Sequence, residues 1–178
     1  NNGNGTFAAK VDSTTGIAMD SFALADLNGD GISDIVASKS SETNVSVLLN
    51  NGAGTFAAKV DYPAAWGQKI IYLEDLNNDS KPDIVTANQM AYTVSALLNN
   101  GAGTFVAKID RATFSQAVDI DFADLNCDGG KDIVAASYGN NIVSNVSVLL
   151  STPIINGACV ANGSCACSAG YTGAACNA

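Results

Sequence analysis

Apolar residues in this chain fall in short runs of five or six, set apart by clusters of Asn, Asp, Gly and Ser. Asp34-Ile35-Val36-Ala37-Ser38 and Asn44-Val45-Ser46-Val47-Leu48-Leu49 are typical: β-branched, almost continuously apolar, and too short for helices. Such runs fit strands of sheets covered on both faces. A further strand is expected near Ile17–Ala25, and a fourth at Thr55–Val60 after the tight Gly-rich turn Asn50-Asn51-Gly52-Ala53-Gly54.

The pattern then repeats. Phe7, Phe56 and Phe105 stand 49 residues apart, and so do Asp26, Asp75 and Asp124. Four strands in each unit of this length are the blade of a β-propeller. The third unit departs slightly, with a Tyr138–Asn145 loop three residues longer than its counterparts. Residues 5–12 read as a fourth-type strand ahead of the first unit, while Ser151–Asn156 replaces the fourth strand after Val146–Leu150. Three blades make a poor closed ring, so donation of that first strand to a neighbouring copy is expected, the rival reading being that further blades lie upstream of this sequence.

From Ser151 the composition changes, and four of the five cysteines lie in Cys159–Cys176. The expected organisation is all-β: three four-stranded blades over residues 1–150, then a small cysteine-rich module over 151–178. The chain opens on Asn1 and shows no signal-peptide pattern, which points to a processed chain or an excerpt of a longer one.

The composition is globular, with 47% hydrophobic and 14% charged residues and 17 glycines. No apolar run is long enough to span a bilayer. The net charge of −9 disfavours a nucleic-acid partner. Its distribution is more informative. Nine acids (Asp26, Asp30, Asp34, Asp75, Asp79, Asp83, Asp124, Asp128 and Asp132) fall in three loops, and the eight acids elsewhere are matched by eight bases.

In the first loop, side-chain oxygens occupy the first, third, fifth and ninth positions, as Asp26, Asn28, Asp30 and Asp34, and the carbonyl of Ile32 is available at the seventh. Calcium takes six to eight oxygen ligands, and alternate spacing of this kind wraps a loop around one ion. The second loop offers Asp75, Asn77, Asp79, the Lys81 carbonyl and Asp83; the third offers Asp124, Asn126, Asp128, the Gly130 carbonyl and Asp132. About three calcium sites are expected. Asp-Asn-Gly clusters also make ordinary turns, but three at one fixed step favour metal. The second is the weakest, because Ser80 stands where the first loop has Gly31.

Phe-Ala-Ala-Lys, Asp-Leu-Asn-Gly-Asp-Gly-Ile-Ser-Asp-Ile-Val and Val-Ser-Val-Leu-Leu-Asn-Asn-Gly-Ala-Gly-Thr-Phe resemble FG-GAP/VCBS repeats, the units of integrin-α propellers and of several lectins and adhesins. The resemblance covers residues 1–150 and implies one calcium ion in a loop of each blade, with roles in adhesion or carbohydrate recognition. Family propellers usually close with more blades than this chain holds.

Cys165-Ala166-Cys167 and the following Gly170-Tyr171 and Cys176 resemble the C-terminal half of an EGF-like domain. The resemblance implies a Cys167–Cys176 disulfide. The family partners of Cys159 and Cys165 lie upstream, so these two are expected to pair with each other. A metal knuckle is the rival reading, disfavoured because the chain has no His. Cys127, in the third loop, is either a buried thiol or an exposed one able to cross-link chains.

Of the Asn-x-Ser/Thr sequons, Asn44, Asn145 and Asn162 are expected to carry glycans, whereas Asn4 lies in a turn and Asn78 in a metal loop. Trp66 and Tyr62 sit between blades, where aromatic rings either stack on sugars or pack against the neighbouring blade. Catalysis is poorly served: His is absent, and Asp119 and Asp121 form a candidate carboxylate pair that the other repeats do not share. The expected function is therefore non-enzymatic: an extracellular, calcium-binding structural or adhesive protein whose partners are other proteins or copies of itself. The alternative is a propeller lectin that binds glycans.

Overall fold

The computed structural model describes residues 3–7, 9, 10, 12, 15–106, 108–139 and 144–151, together with the backbone of two short strands at 157–159 and 165–167. The described residues form strands and no helix. Blade one is the antiparallel meander β1 (Ser21–Ala25), β2 (Asp34–Ser38), β3 (Asn44–Leu48) and β4 (Val60–Pro63). Blade two repeats it with β5 (Gln68–Glu74), β6 (Asp83–Asn88), β7 (Thr93–Leu97) and β8 (Ile109–Ala112). Blade three has β9 (Gln116–Ala123), β10 (Asp132–Tyr138) and β11 (Asn145–Leu149), and β11 pairs with no further described strand. Beyond it, β12 (Gly157–Cys159) pairs with β13 (Cys165–Cys167), in a register that sets Cys159 opposite Cys165.

The central strands lie where the apolar runs place them, but the fourth strand does not. Thr55 and Phe56 belong to the turn, closed by Asn51 N–H to the Thr55 carbonyl and by the Asn50–Phe56 bridge. The chain rejoins the ladder only at Val60, opposite Val47. Asp61 fixes this register: its carboxylate accepts the Ser46 hydroxyl at 2.5 Å and pairs with Lys59. Asp110 does the same with Ser95, at 2.6 Å, and with Lys108. The first strand is likewise shorter than expected: it begins at Ser21, just after Asp20, whose N–H donates to the Ser38 carbonyl and whose carboxylate accepts both the N–H and the hydroxyl of Ser40.

The core lies between blades. Leu27, Val36, Val45 and Val47 of blade one pack against Ile71, Ile84 and Leu97 of blade two, and Val85, Ala87 and Val94 of blade two pack against Ala117, Ile120 and Ala135 of blade three. Blades one and two thus each have a leading face covered by the next blade, and blades two and three a trailing face that covers the one before. The Gly-rich turn of blade two also reaches back to the acidic loop of blade one: the Leu27 carbonyl accepts from Gly103 N–H and from the Asn99 amide, each at 2.9 Å.

Candidate metal centres

The three acidic loops join β1 to β2, β5 to β6 and β9 to β10, and all three follow one trace. The fourth position has a left-handed backbone in each loop, with φ of 80° at Gly29, 60° at Asn78 and 59° at Cys127. So does the sixth, with 83° at Gly31, 64° at Ser80 and 83° at Gly129. Glycine takes this conformation freely, whereas a side chain there costs about 1–2 kcal/mol. The second loop carries that strain twice, at Asn78 and Ser80, and the first not at all.

The side chains repeat as faithfully. The first carboxylate caps the loop: Asp26 accepts from Asp30 N–H and Gly31 N–H, Asp75 from Asp79 and Ser80, and Asp124 from Asp128 and Gly129. The Asn carbonyl at the third position takes the N–H of the fifth residue, at 3.1 Å in loops one and two and 2.9 Å in loop three. The fifth carboxylate takes the N–H of the seventh residue, Ile32, Lys81 or Gly130. The ninth residue goes further. Asp34, Asp83 and Asp132 are buried, and each bridges two backbone N–H groups that are far apart in sequence. Asp34 joins Leu27 to Asn50, Asp83 joins Leu76 to Asn99, and Asp132 joins Leu125 to Ser151, at 2.7–3.0 Å. Ser151 therefore stands where the other blades have Asn50 and Asn99.

The electrostatics follow from these bonds. The Gly31 N–H foremost holds the Asp26 carboxyl below the usual carboxylate range, against partial desolvation. Asp79 is pushed up by desolvation, but bonds from Lys81 and Asn77 outweigh this and leave it low. Burial raises Asp83, the neighbouring charges of Asp79 and Asp75 add to the rise, and the two N–H bonds do not cancel it.

Among the described residues no three Asp, Glu, His or Cys side chains converge as a ready-made metal shell. The loop oxygens are turned onto the loop's own N–H groups. Their chemistry nevertheless fits a hard cation: every donor is oxygen, and a carboxylate oxygen that accepts one N–H keeps a lone pair for an ion. The mutual repulsion felt by Asp83 is the kind a cation would relieve.

The remaining candidate residues separate. Tyr62 is half-buried between blades, edge-on to Phe105 with ring centroids 5.2 Å apart, and acts there as packing. Trp66 is exposed beside an open cleft of about 820 Å³, lined also by Asp20, Gln68, Lys69 and Gln89. Asn44 opens β3, opposite Pro63 of β4. Asn145 opens β11 with its amide nitrogen buried, so a glycan there would require the side chain to turn out. The Asn78 amide is engaged across blades with the Gly129 carbonyl at 2.8 Å. Asp119 and Asp121 lie exposed on β9, where Asp119 accepts the Tyr72 hydroxyl of blade two.

Cys127 is neither a buried thiol nor a free exposed one: it is disulfide-bonded. Two further bridges are expected among the other four cysteines, all beyond residue 158. Those pairings, Cys167–Cys176 and Cys159–Cys165, and the sequon at Asn162 lie outside the described side chains.

Sequence comparison gives this geometry its context. The FG-GAP-like repeat family matches residues 26–86 and again 75–135, each match running from one acidic loop through the next. This chain belongs to the FG-GAP repeat family. A teneurin-like EGF domain matches residues 155–178, so the repeats are followed by an EGF-like module. Comparison with curated proteins yields no match. Among solved structures, one similar chain is an Agrocybe aegerita lectin described by its specific recognition of non-reducing terminal N-acetylglucosamine, 26% identical with a TM-score of 0.47, over 71% of this chain and 37% of that one. Another belongs to the Photorhabdus luminescens Tc holotoxin pore, 19% identical with a TM-score of 0.44, over 70% of this chain and 6% of that one. The chain thus spans little more than a third of the lectin and a small part of the toxin. No helix among the described residues is long and apolar enough to cross a membrane.

Proposed function

We propose that this FG-GAP repeat protein works outside the cell as a calcium-binding structural or adhesive module, by binding and not by catalysis. The observation that carries the reading is the threefold repetition of one loop, with the same oxygen donors and the same two left-handed positions at a step of 49 residues. A plain turn would need only part of this. Calcium would be held by the carboxylates and the Asn oxygens together with the carbonyls of Ile32, Lys81 and Gly130. Bound ions would neutralise acids that otherwise repel one another and join the first two strands of each blade across their loop. The EGF-like module and its cysteines suit an oxidising, extracellular setting.

Titration of the chelator-stripped chain with calcium, followed by calorimetry, tests this. About three sites are expected, the second the weakest. Ser80→Gly should tighten that site several-fold by removing a strained left-handed residue, a gain of about 1 kcal/mol. Absence of calcium heat at millimolar concentration would defeat the proposal.

A second reading, a carbohydrate-binding module, is favoured by one feature. The exposed Trp66 ring lies beside an open cleft whose lining offers amide, carboxylate and ammonium groups, the mix that stacks on and hydrogen-bonds a sugar. Glycan-array binding that disappears in Trp66→Ala would establish it; an array without signal would remove it.

A further inference from the structure

Loops two and three are tied directly to each other. Asn78, the fourth residue of loop two, stands between two candidate ligands, Asn77 and Asp79. Its amide reaches out of its own loop and donates to the Gly129 carbonyl of loop three at 2.8 Å. Gly129 in turn stands between Asp128 and the Gly130 carbonyl, and its N–H donates to the first carboxylate, Asp124, at 2.9 Å. A second tie joins the same two loops. Glu74, next to the first carboxylate of loop two, pairs with Lys131, next to the ninth carboxylate of loop three.

Loop one has neither tie to loop two. Its fourth residue is Gly29, which has no side chain to reach with, and Ala25 and Pro82 stand where the ion pair would form. The route from loop one to loop two runs instead through a third segment, the turn of blade two, where Asn99 bonds both the Leu27 carbonyl and Asp83. The backbone marks the same difference. Asn78 holds a φ of 60° where Gly29 holds 80°. A side chain costs free energy in this left-handed region that glycine does not, and the bond to Gly129 offsets that cost.

We propose that loops two and three bind calcium as a cooperative pair, coupled through the Asn78–Gly129 bond and the Glu74–Lys131 ion pair, while loop one binds on its own. The proposal rests on the reading of these loops as calcium sites. Each loop has two arrangements open to it: its oxygens turned onto its own N–H groups, as in this structure, or gathered on a cation. Both ends of the Asn78–Gly129 bond lie between ligands, so a loop that has settled on an ion holds one partner of the bond in place. The neighbouring loop then loses less conformational freedom on binding, and its affinity rises. Charge works the other way, because a filled loop attracts a second cation less than an empty one. That field is screened over about 8 Å at physiological salt, whereas a direct bond between the loops is not. One hydrogen bond and one partly exposed ion pair together correspond to a coupling of about tenfold, within the usual range for linked sites.

Titration of the full chain with calcium chloride, followed by nitrogen–proton correlation NMR, reads the sites separately. The N–H groups of Gly31, Ser80 and Gly129 each donate to the first carboxylate of their own loop and so report that loop. Loop two is expected to be the weakest site, so its midpoint is the one that registers a filled neighbour. Asp128→Ala, which disables loop three, should raise the Ser80 midpoint about tenfold and move that of Gly31 by no more than about twofold. Asn78→Gly gives loop two the residue that loop one has in that place and relieves the left-handed strain, so the loop should still fold and bind. With Asn78→Gly and Glu74→Gln both present, adding Asp128→Ala should leave the Ser80 midpoint within about twofold. A Ser80 midpoint that ignores Asp128→Ala in the parent chain overturns the proposal while the calcium reading stands. So does a tenfold shift that survives removal of both ties, since it would then come from general damage to blade three. If none of the three N–H groups responds to calcium, the reading of the loops as calcium sites fails, and the pairing fails with it.

Discussion

Excess EDTA added to the calcium-loaded chain is expected to lower its melting temperature by roughly 10 °C or more. A ligand that binds only the folded state stabilises it by about 2.7 kcal/mol per site at a hundredfold excess over its dissociation constant. In a chain of this size each kcal/mol moves the midpoint by about 2–4 °C. Three sites acting together could exceed the expected shift. Repeat arrays need not unfold as one unit, however, and a loop that opens by itself contributes little to the main transition. Removal of the ion also leaves three carboxylates in each loop to repel one another; Asp83, raised chiefly by burial, feels the charges of Asp79 and Asp75 as well. Magnesium should restore little of the loss, because it demands near-octahedral geometry and gives up its water reluctantly. Superimposable melts with and without EDTA would mean that the loops are held by hydrogen bonds alone.

The parts of this structure that were legible in the sequence are those whose cause is local. The acidic loops were legible because alternation of oxygen side chains and the Gly positions are visible within nine residues. The strands β2 and β3 were legible because short runs rich in Ile, Val and Leu between turn formers leave few alternatives. The fourth strand starts later than the turn at Asn50–Gly54 suggests, because its register depends on Asp61 meeting Ser46 from 15 residues away. Tyr62 and Trp66 look equivalent as a pair of loop aromatics, and only the packing of Phe105 from the next repeat separates them. The state of Cys127 depends on a second sulfur, which no local pattern reveals. The ninth position of each loop was read as a metal ligand on spacing. Its second task, holding the N–H groups of Leu27 and Asn50 together, depends on a residue 16 positions further on.

That second task predicts a large mutational effect separable from calcium. Asp83→Ala is expected to destabilise the chain by about 3 kcal/mol, from two backbone donors deprived of their acceptor at about 1–3 kcal/mol each. One is Leu76 N–H, which closes the loop at 3.0 Å; the other is Asn99 N–H at 2.8 Å, and Asn99 is itself buried. The loss should spread between blades, because the Asn99 amide bonds both the Pro82 carbonyl beside Asp83 and the Leu27 carbonyl of blade one. Asp79→Ala is the control. Asp79 is exposed, and the partners of its carboxylate, Asn77 and Lys81, lie within its own loop, so its loss should matter chiefly through the ion. Denaturant unfolding of both variants, with calcium and with EDTA, separates the roles. The Asp79→Ala penalty should largely vanish in EDTA, whereas most of the Asp83→Ala penalty should persist. Asp83→Asn should fall between parent and Ala, since a carboxamide offers its oxygen to one N–H and turns its own donors on the other. If the Asp83→Ala penalty disappears in EDTA, the ninth carboxylate serves the metal alone, and the two N–H bonds add nothing to the stability of the blade.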